Sequence, residues 1–159
     1  IESANLGMGG LDNYGIFESL CENITHINDN DIVIIGWSDI ARFRLSIDEN
    51  WHSYTMNTNN TDNPYFKYDF LEALLFNRST QNNYIKEVNN WINFINTTMK
   101  CKVINWTAFP WSINGHKLSN FETISQETNG VVNDKHFSET GQKTVAQKLI
   151  NIINKTNLI

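Results

Sequence analysis

The chain is poor in cysteine, proline and basic side chains, and it lacks long apolar runs. Its 2 cysteines, Cys21 and Cys101, have no paired spacing, so they predict neither a disulfide framework nor a zinc site, and we expect two buried free thiols. The 12 Lys and Arg are outnumbered by 17 Asp and Glu, which disfavours nucleic acid as a partner because binding phosphates requires clustered cations. No apolar run approaches the roughly 20 residues that span a bilayer, and no basic-then-apolar leader opens the chain. We therefore expect neither a nucleic-acid partner nor a membrane protein.

The composition that remains is that of one domain. The 159 residues are 40% hydrophobic, which is enough chain for a single core and too little for two. Asparagine is in large excess, with 25 residues. Because asparagine codons are rich in A and T, this excess indicates the base composition of the source genome rather than a function.

The first predicted elements are a helix and a strand. The apolar run Asp31–Gly36 is typical of a strand covered on both faces in a parallel sheet, and we place it at the centre. Before it, Asp12 is the predicted N-cap of a helix that runs to about His26. The apolar face of this helix consists of Ile16, Phe17, Leu20 and Ile24.

The middle of the chain alternates between polar and amphipathic stretches. The spacing of apolar residues becomes irregular from Trp37 to Pro64, and we interpret residues 45–64 as a surface insertion loop. Two amphipathic helices are predicted next, from Tyr65 to about Asn77 and from about Gln81 to Met99. The apolar residues of the second are Ile85, Val88, Trp91, Ile92 and Ile95.

The last third completes an alternating pattern of strands and helices. Residues 101–106 form the next predicted strand, residues 107–119 a loop, and a final helix begins near Ser138. The residues that this helix is expected to bury are Val145, Leu149, Ile150 and Ile153. Such alternation predicts an α/β fold, a three-layer α/β/α sandwich with a mainly parallel sheet, in which ligands bind beyond the carboxyl ends of the strands.

The turns after the predicted strands carry a recognisable series of residues. Gly10 closes the first turn, Gly36-Trp37-Ser38-Asp39 follows the first strand, and residues 133–141, Asn-Asp-Lys-His-Phe-Ser-Glu-Thr-Gly, run into the last helix. In order and spacing the chain resembles the SGNH/GDSL hydrolase superfamily, in the style of divergent members from phages and large viruses. The resemblance implies a flavodoxin-like sheet and a serine-dependent ester hydrolase that needs no metal or organic cofactor.

The resemblance assigns roles to four residues. The Gly10 N–H and Ser38, which stands at the position of the family's asparagine, would donate to an oxyanion. His136 would be the general base, and its alternative is a surface histidine at a helix start. The acidic partner of His136 would be Asp134, although the usual family spacing falls on Asn133, which would not stabilise an imidazolium by charge.

The family's nucleophile has no counterpart in the sequence. Ser3 is the nearest serine, but it precedes the Gly10 turn in a segment typical of a strand end. Two readings stay open: either about 30 to 40 residues with the first strand and its serine precede the chain, by the usual length of a βα unit, or catalysis has been lost. In either case we expect a missing N-terminal segment or a partner chain to cover the open sheet edge, because strand edges seldom stay bare.

Three further residues are candidates for substrate contact. Arg42 would neutralise an acidic substrate group or pair with an internal carboxylate, and Trp37 and Trp111 would stack on a sugar or serve in core packing. The first hypothesis is therefore an SGNH-type esterase, such as an O-deacetylase of a polysaccharide. The alternative is an inactive carbohydrate-binding or structural module. A viral source would place either protein in a virus particle or in the host cytoplasm.

Overall fold

The computed structural model describes seven stretches of the chain, which are residues 3–7, 11–40, 42–47, 50–55, 78–109, 111–118 and 137–155. None of the helices in these stretches is long and apolar enough to cross a membrane. The chain divides into two compact units. The first contains residues 1–106 and 111–116, and the second contains residues 107–110 and 117–159.

Helix α1 spans Asn13–Asn23 and continues into a 3-10 turn, Ile24–His26. The Asp12 side chain accepts a hydrogen bond from Gly15 N at 2.7 Å, so the predicted cap and the predicted end at His26 are confirmed. Leu20 on the apolar face is buried, whereas Ile24 is exposed. Both cysteines are free, but Cys21 on α1 is exposed. The expectation of two buried thiols is therefore wrong for Cys21, which lies off the apolar face of α1.

Three strands form a small parallel sheet. They are β1 (Ile32–Trp37), β4 (Lys102–Thr107) and β5 (His116–Lys117), and they lie in the order β1-β4-β5. The Lys102 N–H donates to the Asp31 carbonyl at 3.2 Å, which aligns the starts of β1 and β4. The two predicted strands are confirmed with a shift of one residue, and so is the α/β class. The short β5 lies within the segment predicted as a loop.

The position of β1 differs from the prediction. Among the described strands, β1 lies at one end of the sheet rather than at its centre. Its side chains alternate in burial: Ile35 and Trp37 are buried, whereas Ile32 is 38% and Ile34 is 44% exposed. The expectation of cover on both faces is therefore wrong, because only one face of β1 is packed.

A β-hairpin follows β1 in the chain. Strands β2 (Arg42–Ile47) and β3 (Asn50–Thr55) pair antiparallel, with Arg42 opposite Thr55 and Ile47 opposite Asn50. β2 contacts α1. The expected loop at 45–64 is therefore wrong as far as Thr55, because β2 alternates polar and apolar residues with the period of a strand. Residues 56–64 and the predicted helix 65–77 lie outside the described residues.

Helix α2, Arg78–Thr98, supplies much of the core of the first unit. Val88, Ile92 and Ile95 are buried on it, as the predicted apolar face requires. The Trp91 ring stacks on Phe17 of α1 with centroids 5.3 Å apart, and it lies 6.4 Å from the Trp37 ring of β1. Trp91 therefore packs α2 against both α1 and the Trp37 face of β1.

Asparagine side chains on α2 hold the segment that precedes β5. Asn89 Oδ1 accepts from Asn114 N at 2.6 Å, and its Nδ2 donates to Ser112 O at 3.3 Å. Asn93 Oδ1 accepts from Asn114 Nδ2 at 3.1 Å. One turn further, Asn96 Oδ1 accepts from Asn105 Nδ2 on β4 at 3.1 Å. The polar stripe of α2 therefore has a structural role that its apolar periodicity does not indicate.

The second unit contains helix α3, Glu139–Lys155. Ser138 is its cap, because the Ser138 Oγ accepts from Gly141 N at 3.3 Å, and this prediction is confirmed. Val145 is buried, but Ile150 is 46% exposed, so the expectation that Ile150 is buried is wrong. Leu149 and Ile153 are half-buried.

Gly115 provides a test of the packing between the Ser112–Asn114 segment and β4. A Cβ atom at Gly115 would lie 2.6 Å from the Asn105 carbonyl oxygen, a main-chain atom that cannot swing away. We expect Gly115→Ala to lower the free energy of unfolding by about 1–3 kcal/mol, as overpacking does. Chemical denaturation measures this change.

Gly7→Ala is the matched control for Gly115→Ala. A Cβ atom at Gly7 would meet only the Asn5 side-chain oxygen, at 3.0 Å, and this flexible group can move. We expect a change within about 0.5 kcal/mol, as for surface substitutions. Equal losses in the two variants would contradict the close approach at Gly115.

Candidate functional site

The structure describes four of the seven residues predicted to form the site. Gly10, Asp134 and His136 lie outside the described residues, as does Asn133, so the predicted dyad and the Gly10 donor stay predictions. Ser38, Arg42, Trp37 and Trp111 are described. Three of these, Trp37, Ser38 and Arg42, lie at or after the carboxyl end of β1, where α/β sheets bind ligands.

Ser38 is held at the end of β1 by one asparagine of α1. The Asn13 Oδ1 accepts from Ser38 N at 2.6 Å, and the Asn13 Nδ2 donates to Ser38 O at 3.1 Å. Asn13 is fully buried and Ser38 is 9% exposed, so both bonds are shielded from water. We call this pair of hydrogen bonds the Asn13 clamp; it fixes the main chain of Ser38 on both sides.

Tyr84 of α2 joins the Asn13 clamp from a third element. Burial raises the pKa of Tyr84 to about 12, and the nearby negative charges of Asp12 and Glu87 act in the same direction. Hydrogen bonds with the Asn13 side chain and main chain oppose the rise in the Tyr84 pKa. The Tyr84 hydroxyl therefore lies against the same residue that holds Ser38. Asn13 therefore connects α1, α2 and β1.

Asp12 gives this buried cluster its negative charge. Its side chain is 1% exposed and caps α1 through the Gly15 N–H. The positive end of the α1 dipole favours a carboxylate at this position. The role of Asp12 is therefore to stabilise the start of α1 next to the Asn13 clamp.

The Ser38 hydroxyl takes no part in the clamp. Only the main-chain atoms of Ser38 bond to Asn13, and the hydroxyl makes no hydrogen bond to another described residue. A hydroxyl has one donor and two acceptor sites. Fixed at a strand end, it can donate to an oxyanion or accept from a polar ligand.

A tight turn connects Ser38 to Arg42, in which Arg42 N donates to Asp39 O at 3.1 Å. Arg42 is half-buried at the start of β2. No ion pair joins its guanidinium to an acidic side chain in the described part of the chain, where the pair observed is Lys143–Glu139. The alternative that Arg42 pairs with an internal carboxylate is therefore not observed among these residues.

The two tryptophans expected to stack on a sugar lie in the interior. Trp37 is 2% exposed and donates from Nε1 to Asn105 Oδ1 at 3.0 Å, while its ring lies beside Trp91. Trp111 is 6% exposed. Stacking on a ligand requires an accessible ring face, so the burial of both rings favours the other expected role, which is core packing. Tyr14 and Phe94 are the aromatic side chains that the described surface exposes.

Sequence reasoning did not identify Asn13 or Tyr84 as site residues. Asn13 is one of 25 asparagines and bonds to a residue 25 positions away. Tyr84 does fall on the apolar stripe of α2, since it precedes Val88 by four residues and Trp91 by seven, but that spacing predicts packing and not a contact with Asn13. A chemical hint did exist, since asparagine at the first position of a helix lies where main-chain N–H groups need acceptors. No group of three or more His, Cys, Asp or Glu side chains able to hold a metal ion occurs in the described stretches.

Replacing the clamp amide with a carboxyl makes stability depend on pH. In Asn13→Asp, the protonated carboxyl can still accept from Ser38 N and donate to Ser38 O, but the ionised form loses the donor. Burial, the neighbouring Asp12 and the bond to Ser38 O all favour the protonated form of the new carboxyl, and we expect them to outweigh the α1 dipole and to raise its folded-state pKa above the unfolded value of about 3.9. We therefore expect near wild-type stability below about pH 4 and a loss that grows as pH rises through the folded-state pKa.

Denaturation curves at a series of pH values measure this loss, with Asn93→Asp as the control. The exposed Asn93 is an acceptor through Oδ1 for Asn114 Nδ2, a role that a carboxylate keeps. Its difference from wild type should vary little with pH. The same pH profile in both variants would contradict the clamp.

Tyr84 should titrate above the ordinary range of tyrosine. With a folded-state pKa of about 12 against about 10 unfolded, Tyr84 stabilises the fold fully below pH 10, and this contribution is lost as pH rises through 12. In Tyr84→Phe we expect the absorbance change near pH 12 to decrease by one tyrosine. We also expect a loss of about 1 kcal/mol at neutral pH from the missing hydrogen bonds. An unchanged absorbance titration near pH 12 would contradict the placement of Tyr84.

Comparison of the chain with family models, curated proteins and solved structures gives no match. The resemblance of Gly10, Ser38 and His136 to the SGNH pattern therefore depends on residue order and spacing. The functional conclusion depends on the chemistry available at the end of β1.

Proposed function

We propose that this protein is an SGNH-type serine ester hydrolase with a three-layer α/β/α architecture and a flavodoxin-like sheet. The observation that carries the proposal is the Ser38 hydroxyl, which stands at the carboxyl end of β1 on a main chain fixed by Asn13. Preorganised donors at such a position stabilise the negative charge of an acyl-transfer transition state, because they need no reorganisation during the reaction.

The proposed reaction uses four residues with assigned roles, which are Gly10, Ser38, Asp134 and His136. Its nucleophile is a serine that the labelling experiment below identifies. His136, oriented by Asp134, takes the proton of the nucleophile as its oxygen attacks the ester carbonyl carbon. The Ser38 hydroxyl and the Gly10 N–H donate to the oxyanion. His136 then gives the proton to the departing alkoxide, and water releases the acyl group by the same steps in reverse order.

The substrate we propose is an ester on a polysaccharide, such as an acetylated sugar. Arg42 supports an acidic sugar residue, since its guanidinium is without an acidic partner among the described residues and follows Ser38 by one turn. Trp37 and Trp111 are left out of the binding site because both rings are buried.

A partner segment along β1 belongs to the same proposal. Ile32 and Ile34 are exposed at the end of the described sheet, and an apolar edge strand favours pairing with a further strand. This strand could come from another chain or from another part of the same protein.

The second candidate function is a non-catalytic module with the same fold, which binds carbohydrate or serves in a virus particle. The burial of Trp37 and Trp111 favours the structural form of this module over the carbohydrate-binding form, because the two rings that were expected to stack on a sugar are core residues. In such a module Ser38 would be needed only for its main chain.

Ester hydrolysis by the natural full-length protein tests the first candidate. The assay measures turnover of an aryl acetate and of an acetylated polysaccharide, and a fluorophosphonate probe with peptide mapping identifies the nucleophile. We expect His136→Ala to lower kcat/KM by about 10²–10⁴-fold, the usual contribution of general base catalysis, and Ser38→Ala by up to about 10²-fold as one oxyanion donor is lost.

His26→Ala is the control, because His26 lies exposed at the end of the 3-10 turn and should leave turnover unchanged. Full activity in His136→Ala would remove this residue from the mechanism. No turnover and no probe labelling, together with glycan binding in a pull-down, would favour the non-catalytic module.

A further inference from the structure

We propose that Asn13 is a positioning residue for Ser38, so that the α1 amide sets the direction in which the Ser38 hydroxyl donates. The inference rests on the proposed ester hydrolase function. It adds a residue that the SGNH-like pattern of Gly10, Ser38 and His136 does not contain.

The geometry of the clamp is the first argument. Asn13 bonds to both the N–H and the C=O of Ser38, at 2.6 and 3.1 Å. Two bonds from one rigid amide fix both peptide groups that flank the Ser38 Cα, and the direction of the Cα–Cβ bond follows from them. Since Ser38 lies one residue beyond β1, the strand itself does not provide this constraint.

The hydrogen-bonding inventory of Asn13 is the second argument. Its Oδ1 accepts from Ser38 N, and its Nδ2 donates to Ser38 O. Turning the amide over would place Nδ2 against the Ser38 N–H and Oδ1 against the Ser38 carbonyl, and the buried site would lose both bonds. The amide therefore has one orientation, and it holds the Ser38 main chain in one conformation.

The rate of catalysis depends strongly on the position of a hydrogen-bond donor. An error of about 1 Å in the position of a reacting or donating group can cost about 10²-fold in rate. Without Asn13, the buried N–H and C=O of Ser38 would have to find other partners by moving the main chain. The hydroxyl would move with it.

A double-mutant cycle on the full-length enzyme tests the inference. The variants are Asn13→Ala, Ser38→Ala and the double substitution, assayed with an aryl acetate at a temperature at which circular dichroism shows each to be folded. Ser38→Ala keeps the main-chain atoms that Asn13 bonds and removes only the hydroxyl. We expect Asn13→Ala alone to lower kcat by about 10-fold to 10²-fold, with KM changed little because the donor acts in the transition state.

In the Ser38→Ala background, the same Asn13→Ala substitution should lower kcat by less than about 3-fold, since effects transmitted through one group are not additive. The control is Asn23→Ala on the same helix, where the Asn23 Nδ2 donates to Ser19 O. We expect this control to leave kcat unchanged. Equal effects of Asn13→Ala in both backgrounds, or a wild-type kcat in folded Asn13→Ala, would overturn the inference and leave the hydrolase function intact.

Asn13→Asp keeps the test decisive if Asn13→Ala does not fold. Relative to wild type, its kcat should rise towards acid pH, where the introduced carboxyl is protonated and restores both bonds. A constant ratio across the pH range in which both proteins are folded would overturn the inference. A wild-type protein without turnover would overturn the proposed function itself, and the positioning role with it.

Discussion

The pair of hydrogen bonds between Asn13 and Ser38 is the contact on which the described site depends. It joins the first residue of α1 to the residue after β1, and it places Tyr84 of α2 against the same amide. A strand end normally leaves its last main-chain groups to water or to a loop. Here they are buried, and an amide that offers one donor and one acceptor satisfies both without a net charge. A carboxylate or an ammonium group would leave one of the two unsatisfied.

The same chemistry recurs along α2 and gives the asparagine excess a structural meaning. Asn89, Asn93 and Asn96 lie one turn apart or less and bond to Asn114 and Asn105. Asn105 in turn accepts from Trp37 Nε1. Base composition can make asparagine common, but it does not explain why the asparagines of α2 lie within hydrogen-bonding distance of β4 and of the segment before β5. Some of the 25 asparagines therefore hold β4 and the segment before β5 against α2.

The parts of the fold that follow a local rule could be predicted from the sequence. The caps at Asp12 and Ser138 and the apolar face of α2 depend on residues within a few positions of one another. The hairpin at 42–55 was not predicted because the segment is polar overall, so the alternation of polar and apolar residues in β2 was not recognised. The burial of Trp37 and the exposure of Ile34 could not be predicted, because they depend on which elements pack on each face of β1. Ser38 was found by order and spacing, whereas Asn13 was not, since its partner is 25 residues away.

The hydroxyl of Ser38 separates the two functions that share this fold. A non-catalytic module needs the clamp, but the clamp uses only main-chain atoms of Ser38, which alanine also has. A hydrolase, in contrast, also uses the hydroxyl, which is the part of Ser38 that alanine lacks and which can donate to an oxyanion at the carboxyl end of β1. The two candidate functions therefore make different demands on the same residue. The module depends on the Ser38 main chain alone, whereas the hydrolase depends on the main chain to hold the hydroxyl in place.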